Sequence, residues 1–405
     1  MNSVTPTRRQ YVQAAAAGIG LSAIPVASAQ ESNGQLVFVY DDSPASDYSK
    51  AFPVHREEDA PACVGAIASV VEADDEGLSR DQLLEMQDAG WEVMSHTLEH
   101  RAVGPITITE DVESGDERVY VERSLHGGFP GDTVLITDDD DEEVATVVGG
   151  ESDERGDYLL LEEPVEGSYA VDDGAYERLT DDVLERATKE SKERLESMGF
   201  DVDSFVFPYG RRGPAVMEFV EEHYAGVANY DYDGLNPGED ADPYRIGREY
   251  FREERMSETE ITDFLDTVQR DGMLGMFAGH NYADDLTQER IRFAIRQAKQ
   301  RGIEIVTLRE AFAGQGLLDE SDTAEGETTQ TPTATPTQSP TPTRSSTATQ
   351  SPTSQTSQTT SSEPTTSPSS GSTATPGTLS SKPTPADRSN SSFLDGVLQW
   401  LSGLF

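Results

Sequence analysis

Three separated pieces of this 405-residue sequence carry side chains suited to metal-assisted hydrolysis. Asp41 and Asp42 follow an apolar run at 36–40, His96 and His100 stand four apart after a second run at 91–95, and His280 follows a third at 273–277. Two imidazoles and one carboxylate form a donor set for a divalent ion that leaves positions open for water and substrate. A helical turn across 96–100 would put both rings on one face. Alone, a His-x-x-x-His pair is weak evidence, because many such pairs are solvated helix faces. Adjacent aspartates also recur in this acidic chain, at 74–75, 172–173 and 181–182. Asp41-Asp42 differs from those in following a strand of buried type. The one cysteine, Cys63, excludes an intramolecular disulfide framework and any multi-cysteine metal site, and its apolar surroundings at 62–67 mark a buried core thiol.

The elements that must position these residues alternate. Strands are expected at 36–40, 64–71, 91–95, 204–207, 226–229, 273–277 and 303–307. Between them helices are expected from Ser79 as N-cap to Gly90, and at 178–198, 214–223, 257–270 and 287–301. Ser257 with Glu260 three residues on forms a capping box. Alternating strands and helices imply parallel β/α units, which place their sites at the carboxyl ends of strands. Residues 105–173 break this rhythm with short β-rich pieces at 119–121, 133–136, 144–148 and 158–161, separated by turns rich in Gly, Asp and Pro. They read as a small all-β module inserted into the α/β domain, either a substrate-binding element or a cover. Its Phe129-Pro130-Gly131-Asp132-Thr133-Val134 resembles small β modules appended to carbohydrate-active proteins. With both flanks carrying the α/β framework, the module is expected to be removable without disassembling the metal site.

The motifs together resemble the NodB-type polysaccharide deacetylases, carbohydrate esterase family 4, over about 35–104 and 174–312. The matching residues are Val39-Tyr40-Asp41-Asp42-Ser43, then Gly90-Trp91-Glu92-Val93-Met94-Ser95-His96-Thr97-Leu98-Glu99-His100, then Phe205-Val206-Phe207-Pro208-Tyr209-Gly210, and finally Met276-Phe277-Ala278-Gly279-His280. The resemblance implies a distorted (β/α)7-type barrel carrying the inserted all-β module. It also implies removal of N-acetyl groups from an acetylated polysaccharide. Asp41 would be the general base, and Asp42, His96 and His100 would bind a divalent metal, zinc first, with cobalt or manganese as alternatives. His280 would be the general acid, and the Tyr209 backbone N–H would stabilise the oxyanion. Ser43 stands where the family has Gly, and the family's fourth motif is not recognisable. Val206 stands where many members carry an arginine that orients the base. Arg248 is then the candidate from elsewhere, with Arg245 second.

Composition bounds the rest. With 76 acidic against 30 basic residues, the net charge of -46 disfavours a nucleic-acid partner. Residues 328–392 hold only Glu363 and Asp387 against Arg344, Lys382 and Arg388, so the acidity sits elsewhere in the chain, as in a protein adapted to high salt. Thr7-Arg8-Arg9, an apolar run and Ala27-Ser28-Ala29 read as a twin-arginine-like export signal over 1–29. The expected organisation is a catalytic domain at 30–104 and 174–316, the module at 105–173, a Thr/Ser/Pro-rich stalk at 317–392, and a short amphipathic segment at 393–405. That last segment is suited to peripheral membrane or cell-surface contact. Secretion or cell-surface display follows from these ends. Two other functions fit the residues: hydrolysis of acetyl esters or small C–N amides at the same site, and non-catalytic carbohydrate binding on the same fold.

Overall fold

The computed structural model describes residues 33–314, apart from 72, 74–76, 139–140 and 239–240. The export signal, the stalk and the segment 393–405 lie outside the described residues. In chain order the elements are β1 (Gln35–Tyr40), α1 (Phe52–Glu57), β2 (Cys63–Ala66), α2 (Arg80–Asp88) and β3 (Glu92–Ser95). Six strands follow: β4 (Ile106–Thr107), β5 (Arg118–Val121), β6 (Thr133–Thr137), β7 (Glu142–Asp153), β8 (Gly156–Leu161) and β9 (Tyr176–Leu179). Next come α3 (Asp181–Ser197), β10 (Ser204–Phe205), α4 (Pro214–His223), β11 (Gly226–Val227), β12 (Leu235–Asn236) and β13 (Glu249–Tyr250). The described part ends with α5 (Glu258–Asp271), β14 (Leu274–Gly279), α6 (Gln288–Gln300), β15 (Glu304–Ile305) and α7 (Leu308–Gly314).

Among the described residues the strands make two sheets. The larger runs β11-β10-β3-β2-β1-β14-β12, with β13 on β14 and β15 on β1, and all its pairs are parallel except β12 with β14. It is the curled, incompletely closed barrel expected of the fold class. Both faces of β1 are buried. Leu36, Phe38 and Tyr40 belong to one apolar cluster, while Val37 and Val39 join Cys63, Met94, Val206 and Met276 in another. This double burial is why the strands read as continuous apolar runs rather than alternating ones. Register then positions the chemistry. Tyr40 pairs with Gly279, and Ser95 pairs with both Ala66 and Phe205. The residues that follow, Asp41, His280, His96 and Val206, leave the sheet at one edge.

Several expected strands are shorter than the sequence suggests, for identifiable reasons. β2 stops at Ala66 because the Ala68 and Ser69 N–H groups turn to donate to the Thr97 and Leu98 carbonyls. β10 stops at Phe205 because the Asn229 side chain takes over both backbone groups of Phe207, each at 2.8 Å. The helix caps follow expectation: Ser79 and Ser257 both form capping boxes, with Gln82 and Glu260. The sequence reading assigns no element to 43–62, yet α1 lies there behind a π-helical turn at Asp47–Ala51. The second sheet, β4-β9-β6-β7-β8-β5, is wholly antiparallel and extends past residue 173 to Leu179, since β9 pairs with both β4 and β6.

Candidate metal centre and active site

Backbone strain marks the site before any side chain does. Six described non-glycine residues have positive φ: Asp42, Ser43, Asp59, Thr97, His100 and Tyr209. Five of these, all but Asp59, lie at the edge where β1, β3 and β10 end. Such conformations cost of order 1–3 kcal/mol each and cluster where function demands them. Ser43, at φ 48, occupies a left-handed position in which glycine would be unstrained.

His96 and His100 converge, but not through a helical turn. The His96 N–H still donates to Ala66 at 2.9 Å, so the residue continues the ladder of β3. The chain then reverses at Thr97 and His100, with φ of 64 and 60. The turn's backbone bonds to its neighbours instead of itself: Leu98 donates to the Ala187 carbonyl, and the Thr97 and Leu98 carbonyls accept from Ala68 and Ser69.

The result is a compact donor set. His96 Nε2 and His100 Nε2 lie 3.2 and 3.1 Å from Asp42 Oδ1. Ligand atoms of all three buried residues fall within 4.8 Å of one another. The outer nitrogens are held as metal-binding imidazoles require. His96 Nδ1 meets the Val206 carbonyl at 2.8 Å, which fixes its hydrogen there and turns the Nε2 lone pair inward, and His100 Nδ1 meets the Tyr209 hydroxyl at 3.0 Å. Asp42 Oδ2 and the Tyr282 hydroxyl are both buried without a well-formed hydrogen bond. Burial, then the Asp42 and Asp41 carboxylates, push the Tyr282 phenol up. Burial would raise Asp42, but His100 and His96 outweigh it and hold the carboxyl well below its usual range. An ionised carboxylate with one oxygen unspent, faced by two oriented imidazoles, fits a divalent ion such as zinc.

Asp41 is held differently. Arg248 donates to both its oxygens, Nη1 to Oδ1 at 2.8 Å and Nη2 to Oδ2, and the two groups are 3% and 2% exposed. Burial raises the Asp41 pKa, but Arg248 and then His280 more than offset it, so the group is held below its ordinary value. Arg245 stands apart, 67% exposed and paired with Asp242. His280 Nε2 lies 3.5 Å from Asp41 Oδ2 and 3.6 Å from Asp42 Oδ2. Its ring stacks on Tyr250 at 5.6 Å, and the Tyr250 hydroxyl accepts from Arg248 at 3.0 Å. All seven candidate site residues other than Arg245 thus share one edge of the sheet.

The inserted module is joined to the segment that follows His100, through residues that sequence reasoning did not single out. Arg101, next to His100, pairs with Asp132 of the module, and Asp132 in turn pairs with Arg186 of α3. His126 is wholly buried, with Nδ1 on the Glu177 carboxylate at 2.7 Å and Nε2 on the Ala102 carbonyl at 2.7 Å. Two acceptors require hydrogens on both nitrogens, so this ring is an imidazolium. The module is therefore tied to the two residues that follow His100, through Asp132 on Arg101 and His126 on the Ala102 carbonyl.

Residues 29–122 match the family model "Polysaccharide deacetylase". That segment contains Asp41, Asp42, His96 and His100, while Tyr209, Arg248 and His280 lie beyond it. No curated protein matches the chain. Solved structures with a similar course include a "T48 deacetylase with substrate", 12% identical over 69% of this chain and 92% of that one, with a TM-score of 0.39. A family 4 carbohydrate esterase from Streptomyces lividans in complex with acetate is 9% identical over 67% and 91%, TM-score 0.37. A family 4 acetyl xylan esterase from Clostridium thermocellum in complex with a cobalt ion is 14% identical over 70% and 92%, TM-score 0.38.

Proposed function

We propose that the protein is a metal-dependent hydrolase that removes N-acetyl groups from an extracellular N-acetylhexosamine polysaccharide. The family match supports a polysaccharide deacetylase. The observation that carries the mechanism is an arginine-held Asp41 beside the Asp42–His96–His100 cluster, with His280 facing both aspartates. Asp42, His96 and His100 would hold a divalent ion, which would supply Lewis acidity for the acetyl carbonyl and lower the pKa of its water. Asp41, kept ionised and oriented by Arg248, takes the proton of the attacking water. His280 gives a proton to the departing nitrogen as the C–N bond breaks, leaving acetate and a free amine. The Tyr209 backbone N–H is the group the resemblance assigns to the oxyanion, and the Tyr209 hydroxyl meets His100 Nδ1 at 3.0 Å. Tyr250, stacked on His280, and the 55% exposed Tyr232, stacked on Tyr250 at 6.5 Å, present ring faces suited to a sugar. Export by the signal at 1–29 and display on the stalk at 317–392 complete the reading.

Acetate release from chitohexaose in molar salt tests it. Release should stop on chelation and return when zinc or cobalt is restored. Release indifferent to a strong chelator would contradict the metal-dependent reading.

A further inference from the structure

A cavity of about 860 Å³ opens beside Gly210, the residue after Tyr209. Its size is within the range of small-molecule sites. Three arginines line it, Arg211, Arg212 and Arg245, in a chain with a net charge of -46. The Arg212 guanidinium lies 4.3 Å over the Tyr230 ring, and that of Arg245 lies 5.3 Å from the same ring. Among the described residues Arg212 makes no ion pair, and its Nη1 reaches only the Gly210 carbonyl at 3.4 Å. Two carboxylates, Glu221 and Asp242, also line the cavity. Asp242 pairs with Arg245 at 3.4 Å, both more than half exposed, a surface pair of little energetic value. Arg211 pairs outward with Glu122. A half-buried arginine that stacks on a tyrosine and makes no ion pair among the described residues, in a lining whose arginines outnumber its carboxylates, is a receptor for an anion, and its planar fork suits carboxylate or sulfate oxygens.

Gly210 joins the cavity lining to the catalytic edge. A side chain at Gly210, where φ is 63, would strike the Tyr232 hydroxyl. Tyr232 heads the row of rings that runs through Tyr250 to His280. A chain lying along those rings would come next to Gly210 and then to the arginines of the cavity lining.

We propose that this cavity is a subsite for an anionic sugar unit, making the substrate an acidic polysaccharide that carries N-acetylhexosamine next to a uronate or a sulfated sugar. As a substrate subsite it rests on the deacetylase reading, but its binding is measurable without turnover. The full chain carrying Asp41→Asn is titrated calorimetrically, at one salt concentration, with three hexasaccharides. Chitohexaose is neutral, hyaluronan alternates N-acetylglucosamine with glucuronate, and chondroitin sulfate adds sulfate. Expected is about tenfold tighter binding of the hyaluronan or the sulfated probe than of chitohexaose. Adding Arg212→Gln with Arg245→Gln should erase that difference and leave chitohexaose binding unchanged. Arg212→Lys with Arg245→Lys should restore part of it, which separates lost charge from lost folding. Preference for hyaluronan alone identifies carboxylate, and preference for the sulfated probe alone identifies sulfate. Equal affinity for all three probes, or a preference that survives the glutamine substitutions, would overturn the subsite whatever the acetate assay shows. Arginine-dependent binding without acetate release by the wild-type chain would support the subsite and remove the deacetylase reading.

Discussion

Arg248 and Asp41 are a buried pair, and removing one partner leaves the other charge stranded. Arg248→Met should destabilise the chain by about 3–5 kcal/mol, read by denaturant unfolding, and much of that loss should disappear when Asp41→Asn is added. The same substitution should change activity in a signed way. Arg248 is the main influence pulling Asp41 below 3.8, with burial opposing it. Without the arginine burial wins, the base protonates at higher pH, and the acid limb of the pH–rate profile moves upward. An unmoved limb would mean that Asp41 is not the titrating base. Tyr209→Phe removes only the hydroxyl on His100 Nδ1 and should weaken zinc about 10- to 100-fold in a chelator competition. Unchanged affinity would make that contact incidental. Asp41, Asp42, His96, His100 and His280 are legible in the sequence because each follows directly on, or within one turn of, an apolar strand. Arg248 is reached from the sequence only through the family resemblance, which calls for an arginine from elsewhere and ranks it ahead of Arg245, since it lies 207 positions from Asp41 in a stretch without pattern. Arg245 meets the same sequence criterion, and only burial separates the two. His55 shows the converse. It shares its residue type with the ligands, yet it is wholly buried, meets Tyr40 at 2.8 Å, and is driven down to about 4 mainly by burial.

At the scale of elements, the alternation of strands and helices is readable because the large sheet is buried on both faces. Turn geometry is not. The left-handed residues Thr97 and His100 follow from tertiary hydrogen bonds to Ala68, Ser69 and Ala187, which a local helical period cannot report. The inserted sheet is legible as β structure, but its attachment through Arg101–Asp132 and His126–Glu177 joins residues about 30 to 50 positions apart whose pairing no motif announces. That attachment predicts that replacing 105–173 by a linker lowers metal occupancy, measured as zinc per chain at equilibrium. Full occupancy would make the brace unimportant. His126 adds a pH signature. Burial disfavours its charge, but Glu177 and the Ala102 carbonyl overcome this and raise its pKa. A raised folded-state pKa stabilises fully below about 6.5 and loses that contribution as pH climbs through the folded value. The stability difference between wild type and His126→Gln should therefore be largest near pH 5–6 and shrink toward pH 9. A difference that grows with pH would contradict an imidazolium at this place.

At the scale of the whole molecule, we infer from the net charge of -46 that the fold depends on salt. Screening length falls to about 3 Å at 1 M salt, so self-repulsion that would strain the fold in dilute buffer would be largely removed there. The chain should lose activity and cooperative unfolding in dilute buffer and regain both in molar salt. Full stability in dilute buffer would assign the acidity to solubility instead. The central claim, one ion held by Asp42, His96 and His100 with Asp41 free to act as base, is tested most directly by measuring bound metal and acetate release together, in molar salt, on full-length wild type, Asp41→Asn and Asp42→Asn. The account predicts that Asp41→Asn keeps about one ion per chain while releasing no acetate, and that Asp42→Asn loses both. Equal metal content in the two variants, or acetate release by Asp41→Asn at the wild-type rate, would contradict it.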